Sequence, residues 1–252
     1  RLEASLAASG TRHVGGVAVQ NAPPQILISY SPAIQVPIDG AAVVKPVPGT
    51  RFERVINTRA LIARPKSGST WYLHVYDGWL SASAVDGPWS RASSPPDGLS
   101  DLAQSLSSAG AVDLLNGTTA KPSPSLAAGV PTIYVTHQPA ELLVFRGQPN
   151  LQPIANTGLL WASNTTADVI VDTSTSAYYV LISGRWYTAP NLHGPWTYVP
   201  STALPAAFAS IPPSSKAGVV LAAVAGTPQA QEAVIENSVP QTASIPRSGG
   251  PS

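Results

Sequence analysis

The chain has 252 residues, and Lys+Arg 14 against Asp+Glu 13 leaves a net charge of +1, with only 11% of residues charged. So small and balanced a charge offers no surface that could track a phosphate backbone, which excludes nucleic acid as the natural partner. The absence of cysteine excludes a disulfide framework, a thiolate metal site and a cysteine nucleophile, while Gly 20 and Pro 26 beside 44% hydrophobic residues predict many short strands joined by proline-bearing turns.

Residues 1–22 are rich in Ala, Ser, Gly and Val and read as a lead-in segment. There is no methionine, so the chain is expected to be a processed product or a portion of something longer, with any signal peptide already removed. The longest apolar run, Ala217–Ala225, is about half of the roughly 20 residues that a membrane-spanning helix needs, so no transmembrane segment is expected.

From Pro24 onward the sequence repeats itself without a gap, beginning again at Pro131. Pro32 falls on Pro139, Gly40 on Gly147, Thr50 on Thr157, Asn57-Thr58 on Asn164-Thr165, and Gly87-Pro88-Trp89 on Gly194-Pro195-Trp196. The organisation expected is a first β repeat over 23–96, a helical connector and linker over 97–129, and a second β repeat over 130–200. A second helical connector follows over 201–238, and then the first strand of a truncated third repeat with its tail over 239–252.

Within each copy, Ile26–Tyr30 and Ile133–His137 show the partial alternation of half-buried strands. The runs Ile34–Ile38 and Leu142–Phe145 follow, then Leu159–Ser163 and Val169–Asp172. Trp71–Val75 and Trp79–Ser81 flank Asp77-Gly78, which reads as a tight hairpin turn; the counterpart Ser183-Gly184 places its glycine one residue earlier. Asp97–Ser107 predicts a short helix with Ser100 as its N-cap, and Ala203–Ile211 and Gln229–Ile235 are the corresponding helical candidates. The predicted fold is therefore mainly β: two homologous antiparallel β-rich repeat units with short helical connectors.

A duplication carries its own test for inherited chemistry, since catalytic groups present in both copies would coincide. Here Asp39 falls on Arg146, Glu53 on Leu160, Asp77 on Gly184, Asp86 on His193, His74 on Leu181 and Tyr30 on His137. The copies share turn formers and aromatics but no carboxylate and no imidazole. His137 and His193 lack the partner spacing of metal ligands, and nucleophile-elbow and phosphate-binding glycine motifs are absent. No catalytic residue, metal or cofactor is therefore expected; an enzyme would need one copy to gather His137, Glu141, Asp168 or Asp172 in a cleft. Asn164-Thr165-Thr166 fits a glycosylation triplet, but its repetition as Asn57-Thr58 favours a turn role.

The aromatics are the feature with functional reach. Adjacent residues on a strand point to opposite faces, so Tyr178 and Tyr179, and likewise Trp186 and Tyr187, divide between the two sides of a sheet. Tyr179, Trp186, Tyr187 and Tyr198 are accordingly the candidate platform for stacking on sugar rings, set against a packing role as core aromatics. The segment Val239–Ile245 resembles the openings Pro24-Gln25-Ile26 and Pro131-Thr132-Ile133. Pro240, Thr242, Ser244 and Ile245 are therefore candidates for a strand that adds to the sheet edge of another chain.

The second copy, GQPNLQPIANTGLLWASNT followed by YYVLISGRWYTAPNLHGPW, resembles a group of bacterial repeat proteins catalogued as carbohydrate-binding family V/XII-like. Pro240-Gln241-Thr242-Ala243 matches the opening of the next unit in that pattern. The first copy departs from it, with Arg54 in place of the aromatic of LLWASNT and Gly-Trp-Leu at 78–80 where the second copy has Gly-Arg-Trp-Tyr at 184–187. The likeness covers about two thirds of the chain and brings no catalytic residues with it. Together these readings predict a non-enzymatic, exported structural or interaction protein of a bacterial envelope or extracellular assembly, whose partner is another protein or further copies of itself. A carbohydrate-binding module that takes polysaccharide on the second repeat's aromatics is the alternative.

Overall fold

A computed structural model describes residues 21–117 and 119–238. The first repeat forms β1 (Gln25–Ser29), β2 (Ala33–Pro37), β3 (Val44–Pro46), β4 (Phe52–Val55), β5 (Ile62–Pro65), β6 (Trp71–Val75), β7 (Gly78–Ala82) and β8 (Ser90–Arg91), followed by helix α1 (Leu99–Ser108). The second forms β9 (Thr132–Thr136), β10 (Ala140–Val144), β11 (Leu151–Pro153), β12 (Leu159–Ala162), β13 (Asp168–Asp172), β14 (Ala177–Ile182), β15 (Arg185–Ala189) and β16 (Thr197–Val199). Three 3-10 stretches and helix α2 (Pro228–Ser238) complete the described chain. The fold is mainly β, as expected, with two similar six-stranded antiparallel sheets, β3 to β8 and β11 to β16, each in sequential order.

The residues that the repeats share hold the same local structures twice. Asn57 Nδ2 donates to the carbonyls of Asp39 and Ala41, and its Oδ1 accepts from Val43 N; Asn164 does the same with Arg146, Gln148 and Asn150. The amide thus acts as a piece of surrogate backbone that ties the loop before each sheet to the sheet's second turn. Gly87 and Gly194 sit at φ 94° and 89°, and a Cβ on either would press on the Trp two residues later. That contact and the positive φ explain why Gly-Pro-Trp begins with glycine in both copies.

Three local expectations are corrected. Helix α1 begins at Leu99 after Gly98 in the left-handed region, so Ser100 lies inside the first turn and is not the N-cap. Starting there delivers Leu99, Leu102 and Ala103 to the core. The first hairpin turns on Tyr76-Asp77, with Gly78 already in β7; it therefore occupies the same repeat position as Ser183-Gly184. The two turns differ in type, since Tyr76 alone has positive φ in the first and both residues have it in the second. The stretch 203–211 forms a short 3-10 turn at Ala206–Ser210, and another 3-10 stretch runs over Lys216–Ala223. Pro200, Pro205, Pro212 and Pro213 punctuate this region and deny a longer α-helix its amide donors.

Each sheet is covered on both faces. On one face of the first sheet, Phe52, Leu61, Ala63 and Trp79 pack with α1; on the other, Val55, Ile62, Trp71, Leu73 and Leu80 pack with Val36 of β2 and with Ile133 and Val135 of β9. On the second sheet, Leu159, Ile170, Tyr179 and Trp186 pack under Phe208, Ile211, Val220 and Leu221 of the 3-10 segment. Its opposite face, with Ala162, Val169, Val180 and Tyr187, is closed by Leu143 and Phe145 and by Ile26 and Ile28 of β1.

The remaining four strands join the two repeats. β1 pairs in parallel with β10 and β2 in parallel with β9, so each ribbon takes one strand from each repeat. Both registers are continuous over five residues, from Gln25↔Ala140 to Ser29↔Val144 and from Ala33↔Thr132 to Pro37↔Thr136. The opening strand of each repeat is therefore packed on the other repeat's sheet. The packed bodies consequently cut across the boundaries at 23–96 and 130–200 that the sequence duplication suggests.

Candidate functional site at the junction of the repeats

The chain crosses between the two bodies twice, at Tyr30-Ser31-Pro32 and at His137-Gln138-Pro139. These are equivalent positions of the repeat, and matching backbone bonds frame both crossings. Thr132 N donates to Pro32 O at 3.0 Å and Gln25 N to Pro139 O at 3.1 Å; Ile38 N donates to Thr136 O and Phe145 N to Ser29 O, each at 2.8 Å.

Each crossing is also clamped by the residue that immediately follows the opening strand. The His137 ring lies 2.7 Å from the Gly40 carbonyl through Nδ1 and 2.7 Å from the Asp86 carboxylate through Nε2. At the equivalent place in the other half, Tyr30 Oη is 3.1 Å from His193 Nε2. Both ring nitrogens of His137 face acceptors, an arrangement that only the doubly protonated imidazolium satisfies. The Gly40 carbonyl first and the Asp86 carboxylate second hold its pKa above the ordinary histidine value. Asp39 and Arg59 line the same groove, and Arg59 Nη1 donates to Gly110 O at 3.3 Å.

That groove, about 810 Å³, runs along the junction past Gln35, Asn57, His137 and Gln138. Gln35 Nε2 spans the second crossing by donating to Thr136 Oγ1 and to Ala140 O, at 3.2 and 3.0 Å. Ahead of β9, the linker is pinned to the first hairpin: Asp77 accepts from Ser125 Oγ at 2.6 Å and from Leu126 N at 2.9 Å. These two bonds, the hydroxyl first, keep the Asp77 carboxyl below its usual range, and Leu126 is buried in the first core.

Three of the four candidate platform residues are buried. Tyr179, Trp186 and Tyr187 are 8%, 1% and 3% exposed. Tyr179 and Trp186 meet Phe208 edge-on at ring-centroid distances of 5.0 and 5.2 Å, and Trp186 Nε1 donates to Ala223 O at 2.8 Å. Tyr187 packs against Tyr198 at 6.2 Å on the opposite face, leaving Tyr198 half-buried. The alternation of adjacent rings between faces is as expected, but both faces are covered, so Tyr179, Trp186 and Tyr187 are core residues and Tyr198 alone of the set is partly exposed. The candidate assembly strand Pro240, Thr242, Ser244 and Ile245, like the lead-in residues 1–20, lies outside the described residues.

The groups an enzyme would need are not gathered in one place. His137 lines the junction groove, whereas Asp168 faces a separate small recess beside Trp161 and Lys216, where burial raises its pKa. Asp172 stands at the far end of β13 and accepts from Ser174, and Glu141 is exposed on β10. Among the described residues there is no group of three or more His, Asp or Glu that could hold a metal ion. No described helix is long and apolar enough to cross a membrane.

Tyr30, Asp86 and His193 were missed as functional candidates, although the duplication contained their signal. Two of the columns that fail to match, Tyr30/His137 and Asp86/His193, are in contact with each other at the junction, His137 with Asp86 and Tyr30 with His193. No protein-family model and no curated protein matches the chain.

Proposed function

We propose that this chain is a non-enzymatic structural or interaction protein that joins its partners by strand addition. The observation that carries the reading is the exchange of opening strands: β1 completes the second repeat's core and β9 the first's, each through a parallel ladder to the other repeat. A unit built this way is finished only when a strand arrives from elsewhere in sequence, which is the physical basis of strand addition between chains. The sequence of Val239–Ile245 resembles those of the two opening strands, and its candidate residues Pro240, Thr242, Ser244 and Ile245 are the proposed donor.

The proposed setting is an exported one, in a periplasm, at a cell surface or in an extracellular assembly, in keeping with the resemblance to bacterial repeat proteins catalogued as carbohydrate-binding family V/XII-like. The expected partner is a protein or a further copy of the chain. Carbohydrate binding through Tyr179, Trp186 and Tyr187 is not proposed, because those rings are spent on the core.

Light scattering across a concentration range tests the reading. The full chain is expected to form assemblies above its own 26.0 kDa, and a chain ending at Ser238 to lose them. Equal masses for the two chains would overturn it.

A further inference from the structure

The seat beside β10 has a second eligible occupant. In the first body the strand next to β2 is β9, which follows that body in sequence; in the second body the strand next to β10 is β1, which comes from the start of the chain. β1 thus sits where the opening strand of a following repeat would sit, and it closes the two repeats into a ring. Nothing in that seat distinguishes the β1 of the same chain from the β1 of another.

Among the described residues, the two exchanged strands are not equally tethered. β9 is fixed upstream by buried Leu126 and the Asp77 bonds, and downstream by Gln35 and His137. Upstream of β1, described residues 21–23 are exposed, and the strand leaves through the short crossing Tyr30-Ser31-Pro32. What holds β1 is the ladder to β10 with the flanking Gln25–Pro139 and Phe145–Ser29 backbone bonds, Ile26 and Ile28 on the second core, Tyr30 just after the strand, and a long 3.5 Å bond from Tyr134 Oη of β9 to Ile28 O. The ladder and the core contacts of Ile26 and Ile28 recur if the strand comes from a neighbour, so the exchange is driven by concentration.

We infer that the β1 seat beside β10 is an intermolecular docking surface whose partner is β1 of a second copy of this chain. The inference rests on the strand-addition reading and names its acceptor. A reciprocal exchange gives a closed dimer, and a one-way exchange gives an open head-to-tail series.

Cysteine cross-linking tests it, since the chain has no cysteine of its own. Gln25 and Ala140 are register partners at the exposed start of the ladder, so Gln25→Cys with Ala140→Cys on one chain is expected to close a disulfide within that chain. Single variants Gln25→Cys and Ala140→Cys, unfolded together, refolded at rising concentration and oxidised, are expected to give a covalent heterodimer that grows with concentration. Each single variant alone sets the background, and Gln25→Cys with Thr132→Cys, whose partner is Ala33, should stay at that background. If the double variant closes while mixed singles remain monomeric at every concentration, the inference is overturned. If the double variant does not close, the β1–β10 register is wrong and the inference falls with it. The same mixture made with chains ending at Ser238 separates the two proposals: cross-linking that persists there leaves β1 exchange standing even if tail-dependent assembly fails.

Discussion

His137 shows how a single side chain can set the strength of the junction. Its two acceptors, the Gly40 carbonyl and the Asp86 carboxylate, both want a ring N–H, so the charged ring is the form that clamps the crossing. A pKa raised on folding contributes stability that is fully present below the ordinary histidine value of about 6.5 and is lost as pH rises through the folded value. The parent chain is therefore expected to lose stability between mildly acidic and mildly alkaline pH. His137→Tyr, which installs the residue found at the equivalent Tyr30, should flatten that part of the profile. Urea unfolding at a series of pH values checks this, and a profile unchanged by the substitution would contradict it. Asn57 and Asn164, by contrast, were legible from sequence alone: a polar residue kept in phase by a gap-free duplication has a local geometric duty, and six matching hydrogen bonds show which.

Among the elements, the hairpin of β14 and β15 shows where sequence pattern stops being informative. Period-two alternation correctly divides Tyr179 and Trp186 from Tyr178 and Tyr187, but exposure depends on what lies over each face. The cover on the Trp186 side is a proline-broken 3-10 segment whose apolar residues, Phe208, Ile211, Val220 and Leu221, follow neither the helical nor the strand period. Trp186→Ala is consequently expected to remove a buried ring and its bond to Ala223 O, lowering stability by roughly 3–5 kcal/mol. Chemical denaturation measures it. A Trp186→Ala chain as stable as the parent would mean the ring is not part of the core.

For the whole molecule, the duplication revealed two mainly β units and their order, because matched turns and aromatics follow the covalent chain. It could not reveal the strand exchange. Sequence comparison aligns β1 with β9 and β2 with β10, yet the ladders run between the unlike members, β1 with β10 and β2 with β9. Which of two equivalent seats a strand occupies is decided by the three-residue crossings and by packing, not by the strand's own pattern.

That exchange is the centre of the account, and Ile28→Glu followed by hydrogen exchange tests it most directly. Ile28 lies in the first repeat but packs on the second repeat's core, opposite Leu143 in the ladder. A carboxylate placed there should strip protection from β12 to β15, more than a hundred residues away in sequence, while β4 to β7 of its own repeat stay protected. Loss of protection in β4 to β7 with β12 to β15 unaffected would contradict the exchanged arrangement.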